Sequence, residues 1–211
     1  MKTVSRFAAA ALALSFFGAE VSAQVAGMPV NYAPVGTGVT IHGGLGRGVN
    51  NSSGKLTSAG GGIIIGMPTI SFGAAASYLD FEEISFGGHV AYGLPLAPGG
   101  PVDLSIVAGV GYLSIGGTTQ LFVPAGVTLA FDVPSTSVEV TPWVSPQFRY
   151  FRSSNGLTFT NSDFGVSGGV KITLPMGFGF HAIGDYDNGS EAFLVGGGVH
   201  YTIPVPSLGG M

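Results

Sequence analysis

Ile84-Ser85-Phe86-Gly87-Gly88-His89-Val90-Ala91-Tyr92-Gly93-Leu94 decides the fold. Ile84, Phe86, Val90, Tyr92 and Leu94 share one parity with Gly88, while Ser85, Gly87, His89, Ala91 and Gly93 share the other. Period-two alternation puts the two sets on opposite faces of a β-strand. The same reading holds for Asp163 to Leu174, where Phe164, Val166, Val170, Ile172 and Leu174 oppose Asp163, Gly165, Ser167, Gly169, Lys171 and Thr173. Val102 to Tyr112 and Phe193 to Ile203 repeat it.

Working outward from these stretches gives ten segments, roughly 37–47, 57–67, 69–79, 84–94, 102–113, 121–132, 137–150, 163–174, 178–187 and 191–203. Each is close to the length of about ten residues that a tilted strand needs to cross a bilayer. Short connections at Met67-Pro68, Asp132 to Thr136 and Pro175-Met176-Gly177, with a longer one at Leu94 to Pro101, define a turn end. Val49 to Leu56, Asp80 to Glu83, Ser114 to Gln120, Phe151 to Ser162 and Asp187-Asn188-Gly189-Ser190 define a loop end, the last with the Asn-Gly pair that marks hairpins. The expectation is an all-β chain: a transmembrane antiparallel up-and-down β-barrel of about ten strands, or eight if the first and sixth do not form. An even count leaves both termini at the turn end, which faces the periplasm in bacterial barrels.

The first residues read as an export signal rather than as fold. Lys2 and Arg6 precede an uncharged apolar run from Phe7 to Ala19, and Val21-Ser22-Ala23 is a small-residue cleavage motif. The division expected is 1–23 signal peptide, 24–36 irregular lead-in, 37–203 barrel and 204–211 irregular tail.

Composition chooses which face meets lipid. Only 9% of the 211 residues are charged, against roughly 25% in ordinary domains, and mean hydropathy is +0.49. No segment after the signal has the apolar run of about 18 residues that a membrane helix needs. So little charge cannot cover an exterior in water. The charged and histidine side chains of the strands fall instead on the small-residue parity: His42, His89, His181, His200, Asp103, Glu139, Arg149, Lys171 and Asp185. The large-residue parity carries aromatics near its ends. Tyr78, Phe86, Tyr112, Phe148, Tyr150, Phe164, Tyr186 and Phe193 lie towards the loops, and Phe72, Tyr92, Phe131, Phe178, Phe180 and Tyr201 towards the turns. Two aromatic girdles around an aliphatic belt suit a lipid-facing exterior.

The pattern from Thr37 to Ile203 resembles the small outer-membrane β-barrel proteins, the porin-like family of eight to ten strands. Gly198-Val199-His200-Tyr201-Thr202-Ile203 looks like the terminal-strand signal of that family, although there the chain commonly ends on an aromatic residue and here it continues to Met211. The resemblance implies the outer membrane of a Gram-negative cell envelope, with lipid and the barrel assembly machinery as partners.

Other chemistry finds little support. With no cysteine, thiolate sites and disulfides are excluded, and a net charge of −4 gives no footprint for nucleic acid. The glycine runs Gly43 to Gly48 and Gly109 to Gly111 open no helix, so they lack phosphate-cradling geometry. His42, His89, His181, His200, Asp103, Glu139 and Lys171 gather near the turn end as a polar lumen cluster. His42, His181 and His200 fall on strands that closure makes neighbours. They read either as a structural network, as buried polar groups require, or as a pH-responsive constriction, with no metal expected. Arg149, Asp163, Asp185 and Glu191 are placed at the extracellular rim, where exposed pairs stabilise little. No cofactor and no catalytic set are expected. The function expected is a narrow passive channel for ions or small solutes, or a structural barrel. The alternatives are a surface module that binds a partner through 49–56 and 151–162, and a lipid-modifying enzyme.

Overall fold

The computed structural model describes residues 37–204 apart from 51–55, 81, 82, 97–99, 116 and 134–136. The signal, lead-in and tail readings lie outside these residues. Ten strands form in chain order: β1 (Gly38–Gly48), β2 (Thr57–Gly66), β3 (Ile70–Leu79), β4 (Glu83–Leu94), β5 (Val102–Ile115), β6 (Thr118–Phe131), β7 (Glu139–Asn155), β8 (Leu157–Thr173), β9 (Phe178–Asp187) and β10 (Ala192–Pro204). Each pairs antiparallel with its sequence neighbours, and β1 pairs with β10 to close the barrel. Closure removes sheet edges, which is the condition for strands to live in hydrocarbon. The first and sixth strands both form, so ten replaces the alternative of eight.

The register fixes the stagger. From Thr173 the paired residues run through Gly179, His200, His42, Gly62, Ala75, Gly87, Gly111, Phe122 and Phe151, and return to β8 at Asn161, twelve residues away from the start. With strands about 4.8 Å apart and a rise of about 3.4 Å per residue, that stagger gives a tilt of about 40° and a backbone radius of about 10 Å. Such an interior is only wide enough for the side chains that project into it.

The outer face is apolar all round. Ile41, Leu45, Ile63, Ile106, Val110, Val144, Val170 and Val199 are exposed on it. Tyr78, Phe86, Tyr112, Phe148, Tyr150, Phe164, Tyr186 and Phe193 face outward near the loop end. Phe72, Tyr92, Phe131, Phe178, Phe180 and Tyr201 do so near the turn end. Phe148 packs edge-on to Phe164, and Phe178 to Phe180.

Two loop readings are corrected. Phe151 to Ser162 is no loop, because β7 and β8 continue as a paired hairpin with Asn155 opposite Leu157. The turn at its tip is made by Gly156, whose φ of 73° suits glycine. Ser114 to Gln120 shortens likewise, because β5 runs to Ile115 and pairs there with Thr118 at the start of β6. Polar residues alternating with Phe151, Leu157 and Phe159 keep strand character above the rim. β9 pairs with β8 only from Gly165; just above it the Asn188 amide still donates to the Phe164 carbonyl (3.0 Å), and from Ser162 upward no strand among the described residues pairs with β8 on that side. There Asn161 Oδ1 accepts from the Ser162 amide (2.8 Å) and Asp163 Oδ1 from the Phe164 amide (2.6 Å), which blunts the edge. In the last hairpin the left-handed residue is Glu191 (φ 55°) rather than Gly189, and Asp187 Oδ1 accepts from both the amide (3.0 Å) and hydroxyl (2.8 Å) of Ser190.

Candidate functional site

The inward parity carries everything that could act. The expectation that this parity is small or polar is corrected in part: Ile64, Val107, Phe122, Trp143, Ile183 and Leu194 also point inward and are buried. Val107, Ala130, Trp143 and Ile183 form one apolar cluster, with Ala91 against it. Trp143 had a usable signal. It shares the parity of Thr141, Ser145, Gln147 and Arg149 on β7.

Arg149 and Asp185 do not stand at an exposed rim. Their side chains are 2% and 0% exposed, with Arg149 Nη2 at 2.7 Å from Asp185 Oδ1. Arg149 Nη1 donates to the Tyr186 carbonyl (3.1 Å) and lies 3.3 Å from Asp187 Oδ2. Ser167 Oγ donates to Asp185 Oδ1 as well. The stagger explains the correction: Arg149 sits six residues below the end of β7, because β7 extends to Asn155. Gly165 gives it room, since a Cβ there would lie 2.0 Å from Arg149 Nη1. Asp163 and Glu191 are separate from this pair. Asp163 accepts from Asn188 Nδ2 at 3.4 Å, and the exposed Glu191 offers its carbonyl to Asn50 Nδ2 at 2.5 Å.

Below Arg149, hydroxyls and an amide continue along the wall. Thr128 Oγ1 donates to Ser145 Oγ (2.9 Å), Gln147 Nε2 donates to Ser145 Oγ (3.2 Å), and Ser145 Oγ donates to the Val127 carbonyl (3.1 Å). At the turn end Lys171 Nζ lies 3.1 Å from Glu139 Oε1, and Thr141 Oγ1 is 3.3 Å from both Glu139 and Asp132. Asp103 is exposed at the same mouth.

His42, His181 and His200 come together as their strands suggest, while His89 stands apart on β4. His181 stacks on His200 with centroids 6.1 Å apart, and His42 meets His181 edge-on at 6.5 Å. His200 Nε2 lies 3.2 Å from Thr173 Oγ1. Among the described residues no three such side chains are arranged to hold a metal ion. Each histidine lies over a glycine opposite it in the register: His42 over Gly62, His89 over Gly73, His181 over Gly198 and His200 over Gly179. An aromatic ring laid over a cross-strand glycine restores packing that the glycine lacks. A Cβ on Gly73 would sit 2.1 Å from His89 Cε1. Gly73→Val is therefore expected to expel the His89 ring and to cost about 1–3 kcal/mol. The check is a shift of the His89 imidazole resonances together with a lower unfolding midpoint in lipid; an unmoved ring would refute it.

The sequence matches no family model and no curated protein. Among solved structures it is similar to the translocator domain of autotransporter NalP from Neisseria meningitidis, at 12% identity and a TM-score of 0.45 over 80% of this chain and 90% of that one. It is also similar to the β domain of the Bordetella autotransporter Brka, at 11% identity and a TM-score of 0.42 over 79% and 99%. The outer membrane protease OmpT from Escherichia coli follows the same pattern, at 13% and 0.40 over 79% and 94%. These likenesses are loose and concern the fold alone. On its own closed register, apolar exterior and polar interior, the chain is a ten-stranded transmembrane β-barrel of the outer-membrane type.

Proposed function

We propose that this barrel resides in the outer membrane of a Gram-negative bacterium, loops outward, as a structural barrel closed along its axis at rest. One observation carries the reading. Two layers of inward side chains, Arg149–Asp185 above and Trp143–Val107–Ile183 below, are almost wholly buried inside a barrel of about 10 Å backbone radius. An open pore would leave such side chains wet. Ions then pass only when a layer is displaced, which makes conduction narrow and intermittent. Planar-bilayer recording tests this. The native protein is expected to show no steady unit conductance, while Arg149→Ala combined with Trp143→Ala opens discrete events. A stable unit conductance of the native protein would return the assignment to a passive channel.

The β7–β8 hairpin favours a second reading, a surface module. It rises above the rim and leaves Leu157 70% and Phe159 55% exposed. Deleting residues 152–161 while the barrel still folds, with loss of binding to a partner cell or protein, would support it.

A further inference from the structure

Among the ten strand pairings, only the two that flank β6 are interrupted. Against β5 the pairs jump from Ala108–Ala125 to Gly111–Phe122, across Pro124. Against β7 they jump from Gly126–Gln147 to Leu129–Val144, across Pro146, and stop at Ala130–Trp143, one residue short of Pro142. Proline has no N–H for the ladder and is normally kept to sheet edges and bulges. Here Pro142 and Pro146 share the parity that addresses β6, because alternate residues of an antiparallel strand turn their backbone groups to the same neighbour. The Val127 carbonyl, deprived of Pro146, takes the Ser145 hydroxyl instead at 3.1 Å. Between Gly126 and Ala130 the seam is thus held by the Leu129–Val144 pair and by two side-chain hydrogen bonds of Ser145, to the Val127 carbonyl and from the Thr128 hydroxyl.

Where this weakness lies gives it meaning. Pro146 is exposed on the outer face, two residues from Phe148 of one aromatic band, and β6 ends at Phe131 of the other. The seam therefore opens on hydrocarbon. On its inner side stand Trp143 and Ala130, the last pair of the weakened stretch, joined by Val107 and Ile183. This cluster lies between the Arg149–Asp185 pair above and the Lys171–Glu139 pair at the turn end, apart from the second apolar cluster of Leu79 and Leu113. Apolar surface lies on both sides of the wall here and the wall between them is short of hydrogen bonds.

We propose that the β6–β7 seam is a lateral port that admits the acyl chain of a membrane lipid onto Trp143, Ala130, Val107 and Ile183. A methylene chain needs no hydrogen bonds and can lie in a gap between strands. A polypeptide at that depth would bring backbone groups of its own to satisfy, and a polar solute would first have to cross hydrocarbon. The port does not depend on whether the axis conducts.

Trp143 is the protein's single tryptophan and so a reporter at the port. The full chain is folded into vesicles of phospholipid brominated in mid-chain, where bromine quenches an indole it approaches closely. Pro142→Thr with Pro146→Thr returns two N–H donors to β6 and closes the seam. Thr128→Cys with Ser145→Cys closes it by a disulfide in a chain that has no other cysteine, and reductant reopens it. The expected result is strong quenching of the native protein, lost in the proline variant and in the oxidised cysteine variant, and restored on reduction. Iodide in the water should quench none of them. Equal quenching of native and closed forms, whether strong or absent, overturns the proposal. The cysteine pair keeps the test decisive if the proline variant fails to fold.

Discussion

Arg149→Ala is expected to destabilise the barrel by about 3–5 kcal/mol, the cost of stranding one partner of a buried ion pair. The guanidinium serves Asp185, Asp187 and the Tyr186 carbonyl together. Its removal leaves Asp185, whose side chain is wholly inaccessible, with a carboxylate facing a dry interior that offers it the Ser167 hydroxyl. Arg149→Lys should recover only part of the loss, because a single ammonium cannot span three acceptors with fixed geometry. The decisive comparison removes both charges. Arg149→Leu with Asp185→Leu should come within about 1–2 kcal/mol of the native protein, because apolar pairs of similar volume can replace a buried ion pair. Unfolding in urea from lipid vesicles, with Trp143 fluorescence as the signal, measures all of these. If Arg149→Ala loses less than about 1 kcal/mol, the pair behaves as an exposed one, and the closed upper layer goes with it.

That pair also shows where the sequence stops being readable. Alternation put Arg149 and Asp185 on the inward face, because Gln147, Ser145 and Ser167 share their parities. Their depth was not readable, since height in a barrel depends on the stagger between strands, and no local pattern encodes a shift of twelve residues. Arg152-Ser153-Ser154-Asn155 has the composition of a loop, so the strands seemed to end at Tyr150. Only pairing with β6 and β8 shows that they continue. The neighbourhood of His42, His181 and His200 followed from closure alone. Their seating over glycines needed the register. Pro124, Pro142 and Pro146 are visible inside predicted strands, but the place of Pro124 against β5 and the shared aim of Pro142 and Pro146 at β6 emerge only once every pair is assigned.

Ile106→Arg is expected to cost about 2–4 kcal/mol, the penalty for arginine near the bilayer midplane on the lipid face of a barrel. Ile106 is 49% exposed, stands on β5 between Val102, which pairs with Phe131 of the lower aromatic band, and Tyr112 of the upper, and pairs with Tyr92 and Val127 on the same outward face. The guanidinium would have to reach past the next aliphatic positions to headgroups or draw water into the hydrocarbon. Ile106→Leu keeps the apolar surface and should stay within about 0.5 kcal/mol. The same arginine at Tyr112, in the upper aromatic band, should cost only about 0–1 kcal/mol beyond the loss of the ring, because the penalty falls with distance from the midplane. Depth dependence is what separates this from any packing effect, since both sites are similarly exposed. Folding free energies in vesicles for the three variants give the answer. An arginine at position 106 that proves neutral would mean that this face meets water, and the barrel would then have to be turned inside out.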